Sequence, residues 1–341
     1  MQRSRLAIVG RRLLQAVPAL AGIVIVTFVL TRALPGDPAA FYAGPAADAQ
    51  TVAQLRHAMG LDRSLPVQFA SYVAALGHGD LGQSLSTGQS VAETLLSRLP
   101  ASLELTFSGL LLALVVAIPL GVLAAIRPDS WVDHLCRVFV TAGVSLPTFF
   151  TGLALVYVFY YLLGWSPAPL GRLDVMFTPP DGPTGFYVLD SLLAGDLATA
   201  RAALAQLILP AVTLGLFTMA PIARMARAAM LQVLGSDFVR TARAAGLSRR
   251  QVLVTTAFGN AMLPVLTTLG MVFSFTLGAN VLVEKVFAWP GIGLFAVDAL
   301  VASDYAAVQG FVLAMAVLFV TLNLAIDVAY TLIDPRIGMD A

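Results

Sequence analysis

Six long stretches of this chain contain no Asp, Glu, Lys or Arg, and their spacing sets the architecture. They cover residues 13–31, 105–126, 138–169, 202–223, 251–283 and 305–326, each between 19 and 33 residues long. About 20 apolar residues cross a bilayer as a helix. Each stretch therefore predicts one crossing, and the two longest must include flanking structure. A helix on the surface of a soluble domain carries a polar stripe opposite its apolar one, and these stretches carry none. The pattern predicts an all-α integral membrane protein with six transmembrane helices, rather than a soluble protein with six buried helices.

The intervening segments are uneven. A long one, about 33–104, follows the first helix and opens on Pro35-Gly-Asp-Pro38, where two prolines oppose helix continuation. Within it, 51–59 and 66–76 read as short amphipathic helices, and Gly77-His-Gly-Asp-Leu-Gly82 as a glycine-rich break. The segment reads as a small lid or docking surface, with a bulky connector as the alternative. Residues 164–201 are rich in Pro and Gly, which favours turns and extended chain, with a short helix expected over 190–203. Residues 284–304 contain Trp289-Pro-Gly-Ile-Gly293, and tryptophan beside such a turn suits the interfacial belt. Glu104 is expected at the start of the second membrane helix, as a partner for its dipole. Pro119, Pro147, Pro210 and Pro221 are expected to kink or delimit helices. Asp327, near the end of the last helix, is expected to pair with Arg336 or to sit at the interface.

Composition sharpens this picture. The chain is 58% hydrophobic and 11% charged, against roughly 25% charged in soluble domains. Net charge is +1, so only the distribution of charge is informative. With the N-terminus inside, six crossings place Arg3, Arg5, Arg11, Arg12, Arg127, Arg137, Arg224, Arg227, Arg240, Arg243, Arg249, Arg250 and Arg336 on the inner side, in the shorter loops. The positive-inside rule then gives an N-in, C-in topology and an extracytoplasmic region after the first helix. Thr31-Arg32-Ala33-Leu34-Pro35 is a poor cleavage site, so the first helix is expected to be an uncleaved anchor. Cys136 is the single cysteine, which excludes a disulfide framework and a cysteine metal site.

The most distinctive element is basic and lies between two apolar stretches, at 236–251. Ser236 or Asp237 is a good N-cap. Phe238, Ala242 and Ala245 recur at helical spacing and are expected to face the bundle, with Arg240 and Arg243 elsewhere on the same short helix. Gly246 is a natural left-handed terminator. Ser248 and Gln251 form an S-x-x-Q capping box for the next helix, which leads through Met262-Leu-Pro264 into the membrane. The product is a stiff helical hairpin, basic on its exposed side and continuous with a membrane helix. An ordinary basic loop obeying the positive-inside rule is the plainer alternative. A DNA-reading helix-turn-helix is excluded, because a loop tethered to the bilayer at both ends presents its recognition face poorly, so no nucleic acid partner is expected.

Chemistry is sparse. A P-loop needs G-x-x-x-x-G-K-[ST], and the one lysine, Lys285, follows Glu284. The chain therefore has no nucleotide site of this kind of its own. His57, His78 and His134 are scattered, and neither H-E-x-x-H nor G-x-S-x-G occurs, so an intramembrane enzyme is disfavoured and no cofactor or metal is expected. An ion-gradient-driven secondary transporter is the alternative function. It is disfavoured by the lack of carboxylates within most helices and of sequence similarity between halves.

Arg240-Thr-Ala-Arg-Ala-Ala-Gly246, followed at a distance by Leu263-Pro264, resembles the "EAA" coupling loop of ABC importer permeases of the dipeptide/oligopeptide/nickel family. Leu34-Pro-Gly-Asp-Pro38, Gly60-Leu-Asp62, Gly79-Asp-Leu-Gly82, Arg98-Leu-Pro-Ala-Ser-Leu-Glu104, Glu284-Lys-Val-Phe-Ala-Trp-Pro-Gly-Ile-Gly293, Asp327-Val-Ala-Tyr330 and Asp334-Pro-Arg336 are similar to that family too, in the same order along nearly the whole chain. The chain departs from the wider family at Arg240, where that family carries glutamate, and from its own branch at Ala245, where lysine is common. The resemblance implies a type I ABC importer transmembrane fold in a bacterial inner (cytoplasmic) membrane. It implies a second homologous permease, two cytoplasmic ATPase subunits that bind ATP and Mg, and an extracytoplasmic solute-binding protein as partners, beside membrane lipid. It assigns ATPase coupling to Arg240, Thr241, Ala242, Arg243, Ala244, Gly246 and Leu247, and a di- or oligopeptide or related small solute as cargo, with substrate-binding residues unassigned. The expected organisation is an N-terminal tail and first helix over 1–32, an extracytoplasmic segment over 33–97, a transmembrane domain over 98–333 with the coupling hairpin at 236–262, and a cytoplasmic tail over 334–341.

Overall fold

The computed structural model describes residues 2–33, 37–44 and 46–333. The readings placed on Leu34-Pro35-Gly36, on Asp334-Pro-Arg336 and on the tail lie outside the described residues. So do those placed on the side chains of Arg3, Arg5, Arg11, Arg12 and Asp327. The described chain is helical, and no strand occurs among the described residues. In order come α1 (Gln2–Ala33), α2 (Pro38–Ala43), α3 (Ala49–Ala58), α4 (Leu65–Gly77), α5 (Val91–Ile126), α6 (Trp131–Ser145) and α7 (Thr148–Leu155), the last extended by a π-helical stretch Val156–Leu162. Then follow α8 (Tyr187–Leu193), α9 (Leu197–Leu234), α10 (Asp237–Ala244), α11 (Arg249–Gln251), a second π-helical stretch Val252–Phe258, α12 (Gly259–Val286), α13 (Ile292–Val301) and α14 (Tyr305–Ile333).

Five of the six charge-free stretches lie wholly on helices, and the sixth, 138–169, does so up to Leu162 apart from Leu146 and Pro147. Val91–Ile126, Leu197–Leu234, Arg249–Val286 and Tyr305–Ile326 are each long and apolar enough to cross a bilayer. Stretch 138–169 differs from a plain crossing: Trp131–Gly143 and Thr148–Leu162 meet at 106°. Pro147 stands at that break as the residue before α7, where it lacks the amide a continuous helix would need. Pro119 lies inside α5, and Pro210 and Pro221 lie inside α9, so these three do not delimit helices. Helix surfaces are apolar outward, with Leu111, Val115, Met271 and Phe275 exposed, the inverse of a soluble bundle.

The chain divides into two compact units. In the first, residues 1–99 and 292–341, α14 packs on α1 and α13. Buried Val91, Leu95, Ile292, Phe295, Ala299 and Ala307 form its core. The expected short helices appear as α3 and α4, and α3 is capped by Asp48, which accepts from the Thr51 amide at 2.8 Å. Gly79 and Gly82 then adopt positive φ in the glycine-rich break. Asp304 is fully buried and accepts from Ser84 Oγ at 2.7 Å and Ser86 N at 3.1 Å, which fastens the 84–86 turn to the start of α14.

The second unit, residues 100–291, is built around α9, which packs on α6, α7, α8 and α12. Glycines permit the approach. A Cβ on Gly121 would stand 2.6 Å from the Ala223 carbonyl oxygen, and one on Gly143 would stand 2.9 Å from that of Leu216. Small residues line the core between these contacts, among them Ala113, Ala117, Ala220, Ala223 and Ala226. Two sequence expectations are corrected here. Glu104 does not begin a membrane helix. It lies well inside α5, which starts at Val91, is buried, and accepts from Arg172 Nη2 at 2.5 Å and from the Val188 amide at 3.0 Å. Trp289 does not face out of the bundle as a belt residue would: it is buried and donates its indole N–H to the Ala101 carbonyl at 2.8 Å. Segment 164–201 is thus pinned to the bundle by a buried ion pair. The short helix expected over 190–203 resolves into α8 and the first turns of α9.

Because the obstacle at Gly121 is backbone, a side chain there must push α5 away from α9. Overpacking of this kind costs ~1–3 kcal/mol. Gly121→Val is expected to lower the thermal unfolding temperature of the detergent-purified protein by several degrees, whereas Gly278→Ala, at a glycine with open space around it, leaves it unchanged.

Candidate coupling site

The basic hairpin is built by local chain chemistry. Helix α9 ends at Gly235, and α10 starts after Ser236, whose backbone has the extended geometry of an N-cap. The Ser236 hydroxyl turns back to the Val233 carbonyl at 2.6 Å instead of capping α10. At the other end Gly246 adopts φ +80°. Its amide donates to the Arg243 carbonyl at 3.1 Å, and the Leu247 amide donates to that of Ala242 at 3.3 Å. This pair of bonds is the Schellman termination, which satisfies carbonyls the helix end leaves open. Ser248 then caps the next helix. Its Oγ accepts from the Gln251 amide at 3.3 Å, and Gln251 Oε1 accepts from the Ser248 amide at 3.0 Å. From Arg249 the chain is helical through the π-helical stretch to Val286.

The structure brings the seven predicted residues, Arg240, Thr241, Ala242, Arg243, Ala244, Gly246 and Leu247, together on α10 and its terminating turn. Arg240, Thr241, Arg243, Ala244, Gly246 and Leu247 are exposed, and Ala242 is partly buried. Arg240 reaches Asp237 one turn back at 3.3 Å, a contact between two exposed groups of the kind that contributes little. The buried face differs from the expected one. Val239 is fully buried, while Phe238 is 46% exposed and Ala245 is exposed. Helix α10 packs on the π-helical stretch Val252–Phe258, and buried Val252 and Ala257 lie in that stretch. Turning the helix by one position leaves Phe238 and Leu247 as apolar side chains on the same exposed hairpin as four arginines, Arg240, Arg243, Arg249 and Arg250.

Sequence reasoning missed a second charged cluster close to the hairpin. Asp133, in the first turn of α6, has a side chain with no exposed surface. Arg227 of α9 grips it with both arms of its fork, Nε to Oδ1 at 2.5 Å and Nη2 to Oδ2 at 2.8 Å. Arg137 Nη2 adds a bond at 2.7 Å and the Asp129 amide another at 3.0 Å. Bidentate arginine–carboxylate pairs are the strong, orientation-specific form of ion pair. Removing Arg227 would leave the buried carboxylate with half-exposed Arg137 as its cation. The sequence signal was present only as an i, i+4 Asp133/Arg137 pair, since Arg227 lies 94 residues away. Among the described residues, no group of three or more His, Cys, Asp or Glu comes together as metal ligands.

The described chain is thus an apolar helical bundle with a capped, basic hairpin continuous with its longest helices. Comparison with known proteins places it in a family. Residues 117–339 match the family model "Binding-protein-dependent transport system inner membrane component", and residues 5–106 match its N-terminal companion, "Binding-prot-dependent transport system membrane comp, N-term". The chain is 44% identical over 332 residues to a probable D,D-dipeptide transport system permease protein, DdpB, of Escherichia coli strain K12, covering 97% of each. It is 41% identical to a di/tripeptide transport system permease protein, DppB, of Pseudomonas aeruginosa strain UCBPP-PA14, covering 97% of this chain and 98% of the relative. A dipeptide transport system permease protein of Alkalihalophilus pseudofirmus is 39% identical, covering 97% and 99%. The chain therefore belongs to the family of binding-protein-dependent transport system inner membrane components. It is a multi-pass inner-membrane permease component of an ABC importer, which sets aside an ion-gradient-driven transporter.

Space around Gly246 is open, with nothing within 4 Å of an added Cβ, so a substitution there acts through backbone strain alone. Left-handed geometry costs a residue with a Cβ roughly 1–2 kcal/mol, and more for a β-branched one. Gly246→Val is expected to leave membrane insertion and thermal stability of the bundle near wild type. It is expected to raise proteolytic cleavage or hydrogen exchange at 244–250 several-fold, with Gly246→Asn close to wild type. Equal protection in all three would contradict the turn's role.

Proposed function

We propose that the hairpin 236–262 is the surface through which ATPase subunits drive this permease, and that the cargo is a dipeptide or a related small peptide. The observation that carries the reading is the hairpin's construction. Schellman termination and capping box leave no slack in the turn, both flanking helices continue into the membrane bundle, and the outer face is basic. A rigid element passes on displacement that a loose loop would absorb. In this reading the chain crosses the membrane six times with both termini inside, and forms half of a translocation path with a second homologous permease. Two cytoplasmic ATPase subunits bind ATP and Mg and seat α10 in a groove; an extracytoplasmic binding protein delivers solute. This chain is non-catalytic and holds no cofactor. Arg240 and Arg243 pair with acidic groups of the ATPase, Thr241, Ala242, Ala244 and Leu247 make the remaining contact surface, and Gly246 keeps the hairpin angle. Peptide cargo is supported by the printed names of the relatives, which are dipeptide and di/tripeptide systems.

The test is uptake of a labelled dipeptide by proteoliposomes holding the chain with its partner subunits and binding protein. Uptake is expected to require ATP at the inner face and to persist when proton and sodium gradients are collapsed. Double reversal of Arg240 and Arg243 to Glu is expected to reduce uptake and ATPase recruitment at least ten-fold together. Full uptake in that variant would remove the hairpin from the coupling role.

A further inference from the structure

The charged cluster at Asp133 joins α6 to the helix that feeds the hairpin, α9. Arg227 is placed about two turns before the end of α9, and α10 follows after a break of two residues. Asp133 sits at the opposite end of that contact, in the first turn of α6, and beyond α6 the chain makes its 106° bend into α7. Close packing surrounds the pair. A Cβ on Gly121 would meet the Arg227 amide nitrogen at 3.0 Å, and Cys136 and Ala226 are buried in the same core. Four donors converge on the two oxygens of one fully buried carboxylate, from Arg227 Nε and Nη2, Arg137 Nη2 and the Asp129 amide. Three of them are cationic, and two of the donor groups, Arg137 and the Asp129 amide, belong to the α6 region itself.

We propose that Asp133 and Arg227 are positioning residues for coupling, fixing α6 to the hairpin end of α9 so that movement imposed on the hairpin carries α6, and through it the bent segment, as one body. The inference rests on the hairpin being the driven element. An apolar contact alone would allow α6 to slide along α9, since side-chain ridges have neighbouring registers one turn apart. A bidentate fork has one register, and a slipped state would leave the buried carboxylate with half-exposed Arg137 as its cation and its Oδ1 without the Arg227 bond. Asp133 and Arg227 thereby convert a sliding contact into a fixed one. Arg137 is half-exposed and also reaches Asp129 at 3.1 Å, so it orients the acceptor on α6 and does not itself span the two helices.

The test places spin labels at Trp131 and Gln232, exposed positions on α6 and α9, in a Cys136→Ser background. Distances are measured in the complete complex with its ATPase subunits, nucleotide-free and trapped with ATP and vanadate. With Asp133 and Arg227 intact, the distance distribution is expected to be the same in both states. In Asp133→Asn it is expected to shift or broaden on trapping by about 5 Å, the rise of one helical turn. Arg227→Lys, which keeps charge but loses the fork, supplies the same readout if Asp133→Asn does not assemble, with a smaller shift expected. A distance that changes between states in the parent, or stays constant in the variants, overturns the proposal. A label at Leu247 separates this outcome from the coupling reading itself. If it is not immobilised when the ATPase subunits bind, the hairpin assignment fails, whatever the 131–232 distance does.

Discussion

Helices in lipid gain little from burying apolar side chains, because the hydrocarbon around them is as apolar as their own surface. What holds such a bundle is close contact between backbones and a small number of buried polar bonds. This constraint explains α9. It carries alanines where α5 and α6 approach it, and it meets glycines on both, Gly121 against Ala223 and Gly143 against Leu216. Where contact alone fixes no register, ionic groups do. Asp133 and Arg227 join α6 to α9, and Glu104 and Arg172 join α5 to the segment 164–201, with both side chains buried. Each pair ties one element to another by charge as well as by contact.

The hairpin follows from the same economy at the edge of the bundle. Outside the hydrocarbon, helix ends are free to fray, yet here the carbonyls at the end of α10 and the amides at the start of α11 find partners within a turn of five residues. Val239, Val252 and Ala257 bury its inner face, and the remaining faces carry arginines with Phe238 and Leu247 between them. Charge of one sign interleaved with apolar side chains suits a partner whose groove is acidic at the rim and apolar at its centre. Membership of a binding-protein-dependent transport family supplies the context in which such a surface has a use.

Local chemistry was legible in the sequence, and long-range pairing was not. Gly246, Ser248 and Gln251 could be placed because caps are decided within four residues, and their geometry agrees with the reading. The apolar face of α10 was assigned one position off. Alanine at 242 and 245 marks neither face strongly, and a lone aromatic draws the eye inward, whereas Val239 is the residue that packs. The charge-free stretch that begins at residue 105 put a helix start at Glu104. Helix α5 in fact begins at Val91, and its polar groups have partners up to 182 residues distant, as with Ser102 and Glu284 at 2.5 Å. Trp289 looked interfacial by its neighbours, yet an indole with an available carbonyl at Ala101 is satisfied inside. The break at Pro147 was legible as a possibility; its angle depends on how α6 and α7 each pack on α9.

The central claim is that the hairpin is where an ATPase grips this chain. Photo-crosslinking reads it most directly. A photoreactive residue placed at Phe238 or Leu247 in the assembled complex should join this chain to the ATPase subunit in high yield, and one placed at Val175, an exposed residue of the segment 164–201, should not. Crosslinks to the ATPase from Val175 and none from Phe238 or Leu247 would contradict the account.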